Sequence, residues 1–349
     1  MLPCHVLSET VFLLFILLPM VALAITNPIT ILQPSVRNFS ASTELTLGPV
    51  PQDPRLRIAI QGYNQIPVSR TSLMMTCVNE ISKLVSLDWN GQVRSFRSSQ
   101  IQGYSDVAIF MNVRSPAPSI QTKVAVWGMY LTFTNTVIAN RVKACDVDLY
   151  WDDVRVARIR VRPNPATSSQ SMIGEQGSPD QRLLQELPAL PSLYNTSGNL
   201  TDGSSNIHND TSILKEPMFE ADCSYLGDAE TLNDIEVFAT IMGALKNIAP
   251  VPKTSLVHDA FETGMRTVDA RVQFQGPEDI PWHPPGPPYY QYQWVIRALH
   301  AMPGYMLSQG RLAELGVSIV VDGRRLGFGQ LIKGEVDPVR ATYTNISTV

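Results

Sequence analysis

The chain has 349 residues, 44% of them apolar and 17% charged, which is enough apolar material to bury one or two ordinary cores. Its 27 basic residues stand against 31 acidic ones, for a formal charge of −4. So even a balance does not draw a chain as a whole to nucleic acid or to an anionic membrane, and neither is expected as a partner.

The first segment reads as a targeting signal. An apolar run over 11–24, interrupted by Pro19, ends in Ala22, Leu23 and Ala24, the small-x-small pattern that a signal peptidase accepts. The run is shorter than the roughly 20 residues needed to span a bilayer. Residues 1–24 are therefore expected to be cleaved before Ile25, leaving a secreted, extracellular chain with no membrane contact. The alternative is an uncleaved anchor, which would make the chain a surface-held structural component. Residues 25–54 follow as an N-terminal tail.

The first α/β unit covers 55–162. A helix over 71–87 places Leu73, Met74, Cys77, Ile81, Leu84 and Val85 at helical spacing, with Ser69 or Thr71 to cap it. A strand over 106–111 follows, and Val124, Trp127, Tyr130, Leu131 and Ile138 form the stripe of a second helix. The unit closes in a hairpin that turns at Asp152 and Asp153. Val147, Leu149 and Trp151 share a face with Val154 and Val156, after which the alternation shifts to Ala157, Ile159 and Val161. A bulge near Val156 reconciles the two and sets Arg158, Arg160 and Arg162 on the polar face with Asp146 and Asp148.

Residues 163–217 change to Ser, Asn, Thr, Gly and Pro, a composition that buries too little apolar area to offset its ordering entropy and reads as a long disordered linker reaching roughly 40 Å. The second unit covers 218–335. Its helix over 229–246 has Leu232, Ile235, Phe238, Ala239, Met242 and Leu245 on one side, and a strand over 269–274 follows. A second helix over 289–302 starts after Pro287 and Pro288 and is ended by Pro303 and Gly304, and a hairpin turns at Asp322 and Gly323. A C-terminal tail occupies 336–349.

Residues 141–153 align with 311–323 without a gap, apolar on apolar, and the upstream elements follow with small length changes. The expected fold is therefore α+β, built as two tandem diverged copies of a β-α-β-α-β-β unit. The order of elements, with Val126, Trp127, Gly128, Met129 and Tyr130 on a helix leading into the hairpin around Val147 to Val156, resembles a broad group of secreted proteins of filamentous fungi that have no assigned function. That resemblance spans both units but not the linker. It implies the fold and secretion and carries no chemistry. The second unit departs from it by placing Arg297 where the first has Trp127.

Sequons at Asn38, Asn195, Asn199, Asn209 and Asn345 fall in the tails and the linker, where glycans are accepted most readily. Of four cysteines, Cys4 leaves with the signal, and the odd remainder of Cys77, Cys145 and Cys223 rules out a fully paired framework. Cys77 and Cys145 either pair or stay as buried free thiols.

Chemistry is sparse. His208, His258, His283 and His300 lack metal-ligand spacing, and no cofactor or metal is expected. There is no G-x-S-x-G elbow, and Gly327-Phe328-Gly329 sits in a strand rather than at a helix start, where a phosphate cradle belongs. Asp146 and Asp148 share a strand face and are either an acid/base pair or an ion-paired surface neutralised by Arg155, Arg158 and Arg160. The loop from Gly276 to Tyr292 sets Trp282, Tyr289, Tyr290 and Tyr292 among prolines, which suits binding of a sugar ring or a protein partner, or covering of the core. The expectation is a non-catalytic binding or interaction protein that takes carbohydrate or another extracellular protein. The alternative is an extracellular hydrolase using Asp146, Asp148, Asp259 and Glu262 at a groove between the units.

Overall fold

The structure is a computed structural model that describes residues 52–61, 66–114, 117–164, 217–265, 267–275 and 286–334. Among them the chain is a mixed α+β fold. The elements run β1 (Leu56–Gln61), α1 (Arg70–Val85), β2 (Gln92–Val93), β3 (Phe96–Arg97), β4 (Val107–Val113), β5 (Ile120–Gln121), α2 (Thr122–Phe133), β6 (Cys145–Trp151) and β7 (Val154–Pro163). They continue with β8 (Phe219–Tyr225), α3 (Asp234–Ile248), β9 (Phe261–Gly264), β10 (Ala270–Phe274), α4 (Tyr292–Ser308), β11 (Leu315–Val321) and β12 (Arg324–Lys333). The signal, the C-terminal tail and nearly all of 163–217 lie outside the described residues.

Two five-stranded antiparallel sheets form, ordered β1-β6-β7-β4-β3 and β8-β11-β12-β10-β9, with β2 and β5 paired as a separate ribbon. Period-two alternation gives each sheet one apolar face. On the first, Cys145, Val147 and Leu149 of β6 and Ala157, Ile159 and Val161 of β7 are buried, whereas Arg158 and Arg160 turn away. The edge strands β3 and β9 extend the four-strand expectation by one strand per sheet, because strands as short as Phe96–Arg97 show no alternation to read.

The helices occupy the space between the apolar faces. Helices α1 and α2 pack on β4, β1 and β7, helices α3 and α4 pack on β9, β10, β8 and β11, and α1 touches both α3 and α4. One continuous apolar core results, and all described residues belong to one compact unit, Glu44–Val349. This location explains why α1 is buried without a break from Ser72 to Val85: a helix walled in on all sides needs no polar stripe.

Local chemistry sets the ends. Ser69 caps α1, its hydroxyl accepting from the Ser72 amide, and Asn233 and Glu236 form a reciprocal capping box on α3. The hairpin turns place Asp152 and Asp153 at φ 49° and 63°, and Asp322 and Gly323 at 50° and 73°, as a two-residue turn matched to strand twist requires. The bulge forms where the alternation shifts: Leu149 pairs with Ala157 and Tyr150 with Arg155, leaving Val156 over. The second hairpin shifts at the same distance from its turn, leaving Leu326 over.

One expectation is corrected. Pro303 does not end the last helix, which continues to Ser308. Pro303 forfeits one backbone hydrogen bond, but Met302 and Met306 on either side are fully buried and hold the last turns against the core until Gly310, at φ 62°, ends them. Helix α2 also strains near its end, where Thr134–Ile138 widens into a π turn. There Thr132, Thr134 and Thr136 each donate to the carbonyl four residues back and compete with the regular backbone bonds.

Candidate functional site

The structure disperses the aromatics of the proline-rich loop. Trp282 lies outside the described residues. Tyr290 is 2% exposed and fills the space left by Gly327, where an added Cβ would stand 2.4 Å from its ring. Tyr292 packs on Phe261 at 5.7 Å between ring centroids, and burial pushes its phenol up to about 12. Tyr289, 46% exposed, is the surface aromatic of the three, and its carbonyl accepts from the Trp294 indole. Gly329 similarly makes room for Phe274, so the G-x-G is a packing feature.

The five sequon asparagines lie outside the described residues. Cys77, Cys145 and Cys223 are free thiols, the first two fully buried and close enough that a charge on Cys145 would weigh on Cys77. Burial pushes the Cys145 thiol up to about 11 and that of Cys223 to about 12.

Three of the four carboxylates weighed for catalysis, Asp146, Asp148 and Glu262, are held by arginine. Asp148 has no exposed side chain; Arg158 grips it through Nε at 2.7 Å and Nη2 at 2.9 Å, and Arg155 approaches to 3.5 Å. Burial works to raise the Asp148 carboxyl, but these arginines outweigh it and hold it below the usual range. Asp146 pairs with Arg162 and Arg158. Glu262 sits on β9 of the other sheet, 3.1 Å from Arg271 and within reach of Gln273.

A polar cluster with no obvious sequence signal lies where α1 meets α4. The Glu80 Oε1 accepts from Asn79 at 2.8 Å, Lys83 at 3.0 Å and the Ser99 amide at 3.2 Å, while Oε2 has no partner. His300 Nε2 lies 3.2 Å from Asn79 Oδ1. Burial raises the Glu80 carboxyl against the pull of Lys83, and burial together with the Lys83 charge lowers His300 to about 4. Glu80 and Lys83 are both walled into the core, so the group ties helices together rather than facing a substrate.

An open cleft of about 580 Å³ lies at the hairpin end of the first sheet, between β2, β5, the start of α2 and the β6–β7 turn. Trp151 and Val124 give it an apolar wall, the amides of Gln92 and Gln121 and the Ser119 hydroxyl line it, and Arg114 and Arg155 stand at its edge. Arg55, which is ion-paired with Asp53, lies 4.4 Å and Lys123 5.5 Å from the centre of the Trp151 ring, both as cation–π partners. Trp151 is legible in the sequence as a hairpin residue, but its partners come from four separated segments and share no spacing.

Among the described residues no group of three or more His, Cys, Asp or Glu is placed to hold a metal ion, and no helix is long and apolar enough to cross a membrane. Among the described residues, fold and cleft together define a mixed α+β protein with two open antiparallel sheets and a recess walled by Trp151. Compared with protein-family models, with curated proteins and with solved structures, the chain matches none.

Proposed function

We propose that the chain is a secreted, non-catalytic binding protein that takes a carbohydrate in the cleft beside Trp151. One observation carries the reading: the cleft is lined by an indole, amides, a hydroxyl and guanidinium groups, with no carboxylate, imidazole or thiol among its lining residues. Such a recess can hold a ligand through hydrogen bonds and an apolar wall, and it has no group to move a proton at neutral pH. Its volume falls in the range of ligand pockets, about 300–1,000 Å³. The arginine grip on Asp146 and Asp148 weighs against the hydrolase alternative.

The same reading takes 55–162 and 218–335 as diverged copies of one β-α-β-α-β-β unit joined by a glycosylated linker. The matching strand orders, the paired positive-φ turns and the bulges at equal distance from them support it. Secretion rests on the apolar run over 11–24, on the placement of the sequons and on the resemblance to secreted fungal proteins. Secreted protein whose N-terminal sequence begins at Ile25 agrees with it, and retention of the run refutes it.

The test is calorimetric titration of the purified protein with neutral and acidic oligosaccharides, with Trp151→Ala and Trp282→Ala beside the wild type. Saturable binding lost in Trp151→Ala supports the assignment. Loss in Trp282→Ala alone moves the site to the proline-rich loop, and no binding by the wild type refutes the reading.

A further inference from the structure

The totals of the sequence hide a segregation of charge that the first sheet creates. Its outer face, opposite the helices, is laid out by register. One row crosses Gln61, Asp146, Arg160, Phe110 and Arg97, the next crosses Ala59, Asp148, Arg158 and Asn112, and a third crosses Arg57, Tyr150 and Arg155, with Arg162 beyond the first row opposite Ala108. Six arginines thus share one face with two aspartates.

The two aspartates are consumed locally. Arg158, Arg155 and Arg162 take both, and Arg57 pairs with Asp153 at the turn. Arg160 stands directly across from Asp146 in the register, yet it is exposed and makes no ion pair among the described residues. Arg158, Arg160 and Arg162 repeat along one strand at about 7 Å, which sets like charges side by side with too few counter-charges to neutralise them. The corresponding face of the second sheet is balanced among the described residues: Arg271 and Arg325 stand there with Glu220, Asp222 and Glu262.

From this the geometry points to a second binding surface, on which the outer face of the first sheet takes an acidic polysaccharide. Charge complementarity selects the ligand, because guanidinium forks match carboxylate and sulfate groups in bidentate fashion. Single-stranded nucleic acid fits less well. Stacking calls for a run of aromatic faces, whereas these rows hold two aromatics, Phe110 and Tyr150, and the Arg97 guanidinium already lies over the Phe110 ring at 5.3 Å. A membrane fits less well too, since none of the exposed large apolar residues belongs to these rows. The choice of a glycan over other polyanions rests on the extracellular reading above, but the surface itself is separate from the Trp151 cleft and adjoins it at Arg155.

The test is binding of the full-length protein to immobilised heparin and polygalacturonate, with neutral dextran, single-stranded DNA and anionic phosphatidylserine vesicles as further arms. The surface assignment expects binding to one or both acidic glycans that weakens steeply with salt. Arg160→Glu should lower affinity about tenfold and Arg160→Ala about threefold. Among the described residues Arg160 makes no side-chain hydrogen bond or ion pair, so these variants should keep the wild-type circular dichroism spectrum. Equal binding by Arg160→Glu, no binding to either glycan, or tighter binding to DNA or vesicles overturns it. Loss of acidic-glycan binding in Arg160→Glu with neutral-oligosaccharide binding intact separates the two surfaces.

Discussion

His300 on α4, half-buried, meets Asn79 on α1 across 3.2 Å, and this contact joins helices from opposite halves of the chain where they pack together. Burial, and then the charge of Lys83, depresses the imidazole from 6.5 to about 4. The unfolded chain therefore binds the proton first as pH falls. The contribution is whole above 6.5 and is lost as pH drops through about 4. Wild type should lose up to about 3 kcal/mol more than His300→Gln between neutral pH and the acid end of that window, measured by urea denaturation. Equal losses in the two proteins would count against the buried neutral imidazole.

Asp148 is the counter-charge for two arginines in a place with no exposed side-chain surface. Replacing it by asparagine leaves Arg158 and Arg155 without their partner, and an abandoned charge costs more than an intact pair contributes. Asp148→Asn should destabilise by about 2–3 kcal/mol, a little under the range for fully buried pairs because both arginines keep some access to water. A urea midpoint unchanged from wild type would refute this.

Gly327 lies beneath the Tyr290 ring, where a Cβ would stand 2.4 Å from two ring carbons. Gly327→Ala should cost about 2 kcal/mol through overpacking, and the same change made on Tyr290→Leu should cost less than about 1 kcal/mol. A double-mutant cycle showing no coupling would mean that the ring moves aside freely.

The thiols give a chemical check on the core. Cys77 and Cys145 are buried with their thiols pushed up, so Ellman's reagent should leave both unmodified in native protein near neutral pH, with Cys223 slow. Denaturation without reductant should release all three thiols. Release of a single thiol would show one bridge instead, and a single thiol that is lost in Cys223→Ser would place it between Cys77 and Cys145.

Much of the fold was legible because its signals are local. The helical spacing of Leu73, Cys77, Ile81 and Leu84, the Asp322-Gly323 turn and the shift of alternation at Val156 each depend on a few neighbouring residues. Pro303 misled for the same reason: locally it breaks a helix, and only the buried methionines beside it show why the helix continues. Composition could not sort the loop aromatics between binding and covering the core, since Tyr289 and Tyr290 are adjacent and alike but one faces water and the other fills the core.

What the amino-acid sequence determines by itself is the alternation, the caps, the turns and the bulge, because each is an interaction between residues a few positions apart. The polar face of Arg158, Arg160 and Arg162 was legible with the hairpin, but tertiary structure alone decided which polar groups would be sealed between helix layers, which strands would gain an edge partner, and which distant arginines would join that face. Arg97, Arg160 and Arg57 are scattered along the chain and vanish in a nearly balanced total. They become one basic face only because strands β3, β7 and β1 are brought into register on a single sheet.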